Sequence, residues 1–175
     1  MSLVQRDGIL MILSQCIGAF IAAALVYWVY IDIEVSLNNS SIFATYPRAG
    51  ITTGQAMVSS IIGTAFMILS INCVVQSKPP HKPDLSLLPI YTGIAVTTYG
   101  IAFSLNTGYA INPARDIGPR LFIFLIGFPD SFKRGNDVIS WYWWIPIISP
   151  LIGAIREYFF DFLYFEMFFS CELYL

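Results

Sequence analysis

The chain has 175 residues, of which 57% are hydrophobic and 11% charged, with a formal net charge of -2 and a mean hydropathy of +0.69. Ordinary soluble domains carry about 25% charged residues, so this composition cannot cover a globule with polar surface and marks an integral membrane protein. The acidic balance argues against a nucleic-acid partner. Cys16, Cys73 and Cys171 lack metal-ligand spacing, and with His81 as the single histidine no ligand set or cofactor is expected.

The first apolar run, 9–30, has spanning length and no internal charge. It is too long for a signal peptide and lacks a cleavage pattern. Gly18-Ala19 and Ala22-Ala23-Ala24 allow close helix packing, and Tyr27, Trp28 and Tyr30 read as an interfacial aromatic belt. A polar connection over 32–53 carries overlapping glycosylation sequons at Asn38 and Asn39. A second span is predicted over 55–75, with Gly63 and Thr64 in its middle. The short, Pro-rich connection 76–86 holds Lys78, His81, Lys82 and Asp84, against Arg48, Asp32 and Glu34 in the preceding one. The basic excess predicts that 76–86 is cytoplasmic. A third span is predicted over 87–103, with Gly93 and Gly100.

The stretch from Leu105 to Arg120 breaks the apolar pattern with two Asn, two Arg, an Asp, two Pro and two Gly beyond its apolar residues. Such a segment at membrane depth is tolerated only where it is buried in protein or lines a water-filled cavity. Asn112 before Pro113 reads as a helix start, with Asn as the cap and Pro at the first helical position. A helix from Pro113 to Phe124 is roughly 18 Å long, about half of a hydrocarbon core of roughly 30 Å. The reading is a re-entrant half-helix with its positive end inward, preceded by an extended run, Ser104 to Ala110. Backbone carbonyls of Ser104, Leu105, Asn106, Thr107 and Gly108 are the candidates to face a pore. Asp116 complements the helix dipole and can pair with Arg120 at i+4, while Pro119 leaves the Arg115 carbonyl without its helical partner. The segment 127–140, with Asp130, Lys133, Arg134 and Asp137, reads as a solvated rim. A fourth span is predicted over 141–165, opened by a belt of Trp141, Tyr142, Trp143 and Trp144.

Gly108-Tyr109-Ala110-Ile111-Asn112-Pro113-Ala114-Arg115-Asp116-Ile117-Gly118-Pro119-Arg120-Leu121-Phe122 resembles the second pore signature of the major intrinsic proteins. The Asp after the Arg is the mark of their glycerol-conducting branch, the aquaglyceroporins. Gln15 to Phe20 resembles the signature of the family's third span, and Phe43-Ala44-Thr45-Tyr46-Pro47 its extracellular vestibule loop. Pro146-Ile147 resembles a pair kept in the last helix of glycerol-conducting members. The resemblance runs from about Gln5 to Ile155, and 156–175 reads as a divergent tail.

The resemblance implies an all-α membrane protein with an aquaporin-like bundle: four transmembrane helices plus one half-helix, the C-terminal part of a six-span fold, in a single channel domain over 1–175. It implies Asn112, Pro113 and Ala114 as the pore signature, with Asn112 donating to a passing hydroxyl or water. Gly100, Tyr109 and Arg115 become the selectivity filter: Gly100 widens it, Tyr109 forms an apolar wall, and Arg115 supplies donors and repels cations. Asp116, Arg120, Pro146 and Ile147 become structural or subfamily markers. Ser60 departs from the family, which usually holds a buried Glu there to accept hydrogen bonds from a pore loop.

The implied partners are glycerol, water, small neutral solutes and the lipid bilayer, in a homotetramer or with full-length channel subunits, at the plasma membrane. The family's first two spans and first half-helix have no counterpart here, so an N-terminally incomplete aquaglyceroporin is expected. Passive conduction is one expectation. A non-conducting subunit that joins complete channels is the other. No nucleophile–base pair lies near Asn112, so an enzyme is not expected.

Overall fold

The computed structural model describes residues 3–30, 40–76 and 83–155, and their regular structure is all helical, with no strand among them. In chain order they form α1 (Leu3–Val29), a 3-10 turn (Ser40–Ile42), α2 (Thr53–Gln76), a 3-10 turn (Leu85–Leu87), α3 (Leu88–Thr107), α4 (Pro113–Leu125), a 3-10 turn (Pro129–Ser131) and α5 (Ile145–Ile155). Three helices, α1, α2 and α3, are long and apolar enough to cross a membrane. Large side chains such as Ile12, Ile17, Ile21, Ile94 and Ile101 stand exposed on α1 and α3. A helix that is apolar all round is stable only where lipid or protein surrounds it.

The chain is an all-α membrane protein whose helices pair as α1 with α4 and α2 with α3. Close backbone approach makes the first pairing. A Cβ at Gly118 of α4 would lie 2.7 Å from the Cys16 carbonyl oxygen and 2.8 Å from Ala19 Cβ. Phe122, one turn on, takes Phe20 and Tyr27 edge-on at 5.5 and 5.8 Å between ring centres. Tyr27 therefore packs on the half-helix, whereas Trp28 is 71% exposed. Gly153 of α5 fits against Ile61, Thr64 and Ala65 of α2 in the same way. Between α2 and α3, Asp84 accepts the Ser86 backbone N–H at 2.9 Å, and that bond holds its carboxyl below the usual aspartate range.

Two boundaries differ from the sequence expectation. α3 continues through Ser104–Thr107 and stops at Gly108, whose left-handed backbone (φ 65°) places its N–H on the Ser104 carbonyl. α5 begins at Ile145, not at residue 141: Trp143–Trp144 forms a turn before it, and Pro146 suits a first helical turn. Tyr142 is fully buried there, in a cluster with Ile51, Ala56, Ala110, Ile139 and Ile145, so it is core rather than belt. The sequons at Asn38 and Asn39, His81, and the predicted continuation of the last span with the tail over 156–175 lie outside the described residues.

Candidate functional site

The site is built around the start of α4. Asn112 caps it with extended backbone, and its side-chain oxygen accepts the N–H groups of Ala114 at 3.0 Å and Arg115 at 3.3 Å. Pro113 follows as the first helical residue, where its missing N–H costs nothing. With the Asn112 oxygen committed to the cap, its side-chain NH2 is the group left to donate outward. Ala114 is buried, so the Asn-Pro-Ala turn is seated in the protein. Arg115 reaches across to donate from Nη1 to the Phe43 carbonyl oxygen at 2.9 Å, which fixes its guanidinium one turn from Asn112.

The lead-in is shorter than predicted. The Ser104 carbonyl accepts the Gly108 N–H at 2.7 Å and the Asn106 carbonyl accepts the Arg48 N–H at 3.0 Å. The Thr107 carbonyl accepts the Tyr142 hydroxyl at 3.4 Å. Leu105 lies within α3 and Gly108 is its cap, so Ser104 to Gly108 do not form an extended carbonyl ladder. The stretch between the helices is Tyr109–Asn112, and among the described residues the carbonyls of Tyr109, Ala110 and Ile111 accept no hydrogen bond. The signal that the sequence reading passes over is Thr107-Gly108, a helix stop of the left-handed glycine type.

Gly100 and Tyr109 are brought together. A Cβ at Gly100 would stand 3.4 Å from Tyr109 Cε1 and 3.5 Å from its Cζ, so the ring lies in contact with the bare backbone of α3. The Tyr109 hydroxyl donates to the Val96 carbonyl oxygen at 2.8 Å.

Asp116 and Arg120 form a buried pair with Nε to Oδ2 at 2.8 Å, and the pair binds segments far away in sequence. Asp116 Oδ1 accepts the Thr45 N–H at 2.7 Å and the Thr45 hydroxyl at 2.6 Å. Arg120 donates to the Thr45 carbonyl at 2.7 Å and to the Ser131 carbonyl. Two guanidiniums stand over the Tyr46 ring, Arg120 at 4.8 Å and Arg134 at 4.3 Å from its centre. Ser131 and Ile139 are buried and anchor 127–140 in the protein, while Asp130, Lys133 and Asp137 stay exposed along it. Asn136 ties this segment to the carbonyls of Arg48 and Ile51. Sequence alone does not single out Thr45, Tyr46 and Ser131 as individual site residues, since nothing local links them to α4.

Pro146 is buried at the start of α5, beside half-buried Ile147. On α2, Ser60 is buried with no hydrogen-bond partner for its hydroxyl among the described residues. Between α1 and α4, a concavity of about 340 Å³ is lined by Ala19, Ala22, Ala23, Phe43, Arg115 and Pro119, among others. No group of His, Cys, Asp and Glu among the described residues is arranged to hold a metal ion.

A capped half-helix carrying Asn-Pro-Ala-Arg-Asp is thus wedged against the close-packed helix α1. The family model for major intrinsic proteins matches residues 1–160. The chain belongs to the major intrinsic protein family. Within that family it is similar to Aquaporin-9 of Mus musculus, 34% identical over 154 residues that cover 81% of this chain and 50% of the relative. It is also similar to Aquaporin-10 of Homo sapiens, 31% identical over 155 residues, covering 82% of this chain and 50% of that one. The X-ray structure of the aquaglyceroporin from Plasmodium falciparum superposes with a TM-score of 0.71 at 29% identity, over 83% of this chain and 59% of that one. This major intrinsic protein thus spans about half the length of the curated relatives it matches, and it is an integral membrane protein of a family of channels.

Proposed function

We propose that the chain forms one wall and half of the central donor set of a pore for glycerol, small neutral solutes and water, which cross passively. The observation that carries this reading is the start of α4. Asn112 spends its oxygen on the helix cap, so it keeps an outward donor, and Arg115 is held one turn away by Phe43. Two donors at the positive end of a helix favour hydroxyl oxygens and oppose cations and protons. Tyr109, in contact with Gly100, offers a carbon chain an apolar face. Asn112, Pro113 and Ala114 are the pore signature in this reading, and Gly100, Tyr109 and Arg115 the filter. Asp116 and Arg120 hold the segment, and Pro146 and Ile147 mark the first turn of α5.

The reading includes a multi-pass location at the plasma membrane. It also includes association into a homotetramer, or with full-length subunits, through outward apolar faces of the helices. Solute flux in proteoliposomes, followed by stopped-flow light scattering, tests it. Glycerol and water flux above empty liposomes, lost in Arg115→Ala, is the expected result. A correctly inserted chain that carries no flux overturns conduction by the chain alone. Flux that then appears only on co-reconstitution with a complete relative turns the reading to a co-assembling subunit.

A further inference from the structure

We propose that the segment 134–137 is a buckle: it fastens the connection 40–52 as a strap across the start of α4, gripping it on both sides of Thr45. The inference stands apart from the pore reading, since it concerns how the half-helix is held and not what passes it. Three observations carry it. First, the strap runs over the site. Ile42 and Phe43 line the concavity beside Arg115, and Thr45 is bonded to Asp116 and Arg120. Second, one short segment meets the strap at two separate places. Arg134 donates from Nη1 to the Ser40 hydroxyl, and its guanidinium stands over the Tyr46 ring. Two residues on, Asn136 donates from Nδ2 to the carbonyls of Arg48 at 2.6 Å and Ile51 at 3.0 Å, and Asp137 Oδ1 accepts the Gly50 N–H at 2.7 Å. Third, both halves of the fastening are shaped in advance. Asn136 Oδ1 accepts the N–H groups of Val138 at 2.9 Å and Ile139 at 2.6 Å, and the Ile139 carbonyl accepts the Asn136 N–H at 2.9 Å. A Cβ at Gly135 would lie 1.5 Å from that carbonyl oxygen, so the turn needs glycine there. Gly50, with φ 79°, makes the opposing turn.

The fastening acts on the strap's backbone. The Arg48 N–H is held by the Asn106 carbonyl at the end of α3, and the Arg48 carbonyl, the Gly50 N–H and the Ile51 carbonyl are held by the buckle. The strap therefore cannot lift at 48–51 without breaking several bonds together. Its hold at Thr45 is buried, whereas Asp137 is exposed, so the strap opens from the buckle inward. The partners in the buckle lie 85–88 positions apart, with α2, α3 and α4 between them. The buckle closes when α4 has brought the chain back beside the strap, and closure retains the half-helix there.

Limited trypsin digestion of the full chain in proteoliposomes, with melting curves in detergent alongside, tests the buckle. The Arg48 side chain is exposed, but a protease needs the flanking backbone free, so cleavage follows the population in which the strap is open. Cleavage after Arg48 is expected to be slow in the parent and about tenfold or more faster in Asn136→Asp. That variant keeps the acceptor for Val138 and Ile139 and sets an oxygen against the two carbonyls in place of the donors. Asp137→Ala removes the Gly50 bond alone and is expected to give about a threefold rise. Gly118→Ala, which disturbs α4 at its contact with α1, separates the buckle from general loosening: per degree of lost melting temperature, cleavage after Arg48 is expected to rise less than in Asn136→Asp. An unchanged rate in Asn136→Asp overturns the buckle, and so does an equal rise per degree in Gly118→Ala. If Asn136→Asp does not insert, an unchanged rate in Asp137→Ala overturns it instead. A parent cut after Arg48 as fast as a free peptide of residues 43–53 also overturns it, and none of these results bears on conduction.

Discussion

The segment 109–120 is held from two sides, and the two sides are built in opposite ways. On one side α4 is bound by a buried ion pair whose groups are satisfied by each other, Thr45 and Ser131, with the Tyr46 hydroxyl beside it the one buried side-chain group left without a partner among the described residues. Asp116 is 0% and Arg120 1% exposed, and between them they engage Thr45 and Ser131 from two separate connections. On the other side the lead-in rests on α2 and α5 through apolar packing of Ala56, Ala110 and Ile145, and polar groups are left over. The hydroxyls of Ser60 and Ser149 are buried without a partner among the described residues. The Ile111 N–H, in a residue 6% exposed, likewise has no acceptor among them. A satisfied buried network fixes one geometry, and a partly satisfied one wastes stability. The half-helix is thus over-determined and its lead-in is not, which places any freedom at Ala110–Ile111, since Tyr109 is tied to Val96.

Breaking the satisfied side should cost most. Asp116→Ala leaves the Arg120 guanidinium buried without its carboxylate, and removal of one partner of a buried pair costs about 3–5 kcal/mol. A large fall in the melting temperature in detergent, or failure to insert, is expected, and Asp116→Asn should fall less because it keeps an acceptor. A melting curve for Asp116→Ala that overlays the parent's would mean that the network is incidental. Next comes Gly118→Ala, whose added methyl meets Cys16, Ala19 and Phe20 of α1 at 2.7–2.8 Å. Two of those contacts are backbone atoms, which cannot turn away, so α4 must back off from α1 at a cost of about 1–3 kcal/mol. Flux should drop with stability, since Arg115 moves with α4. A Gly118→Ala protein as stable as the parent would show that the approach of the two helices is looser than the distances imply.

The same two sides separate what can be read from the sequence from what cannot. Asn112-Pro113 announces a capped helix because cap and first residue are neighbours. Asp116 and Arg120 announce a pair because four residues is one helical turn. The apolar runs announce α1, α2 and α3 because lipid demands apolar length. Each signal is local. Thr45 meets Asp116 across a separation of 71 positions, and no periodicity carries that information. Tyr142 misleads for a related reason: a tyrosine among tryptophans fits a membrane belt by composition, and only tertiary packing turns it inward. The lead-in misleads through a local contest. Ser104, Asn106 and Thr107 are weak helix formers, yet α3 continues through them and ends only where Gly108 adopts the left-handed turn. Helix continuation satisfies backbone groups at membrane depth, and that term outweighs propensity.

The unsatisfied side offers the smaller effects, and they have the opposite sign. Ser60 lies one turn beyond Ala56, which packs near Ala110, and just before Gly63, whose Cβ position is 3.4 Å from Ile111. A longer acceptor at position 60 is therefore level with the lead-in backbone. Ser60→Glu is expected to raise stability by about 1 kcal/mol through a new bond to a buried N–H, read as a higher melting temperature. An unchanged or lower value would count against support of the lead-in from α2.

Ser149→Ala is the mildest change and the sharpest control. Ser149 sits one turn before Gly153, which packs on Ile61 and Thr64, and one turn after Ile145, which packs near Ala110. Its hydroxyl is as buried as that of Ser60 and as partnerless among the described residues, but its removal adds no acceptor. If the unsatisfied hydroxyl is a plain loss, alanine should be neutral to about 1 kcal/mol stabilising, with no change in flux. A loss of more than about 1 kcal/mol would instead mean that Ser149 has a partner in the membrane, since that is the scale of one net hydrogen bond. Held together by such a bond, the lead-in would be as well determined as α4, and the contrast between the two sides would disappear.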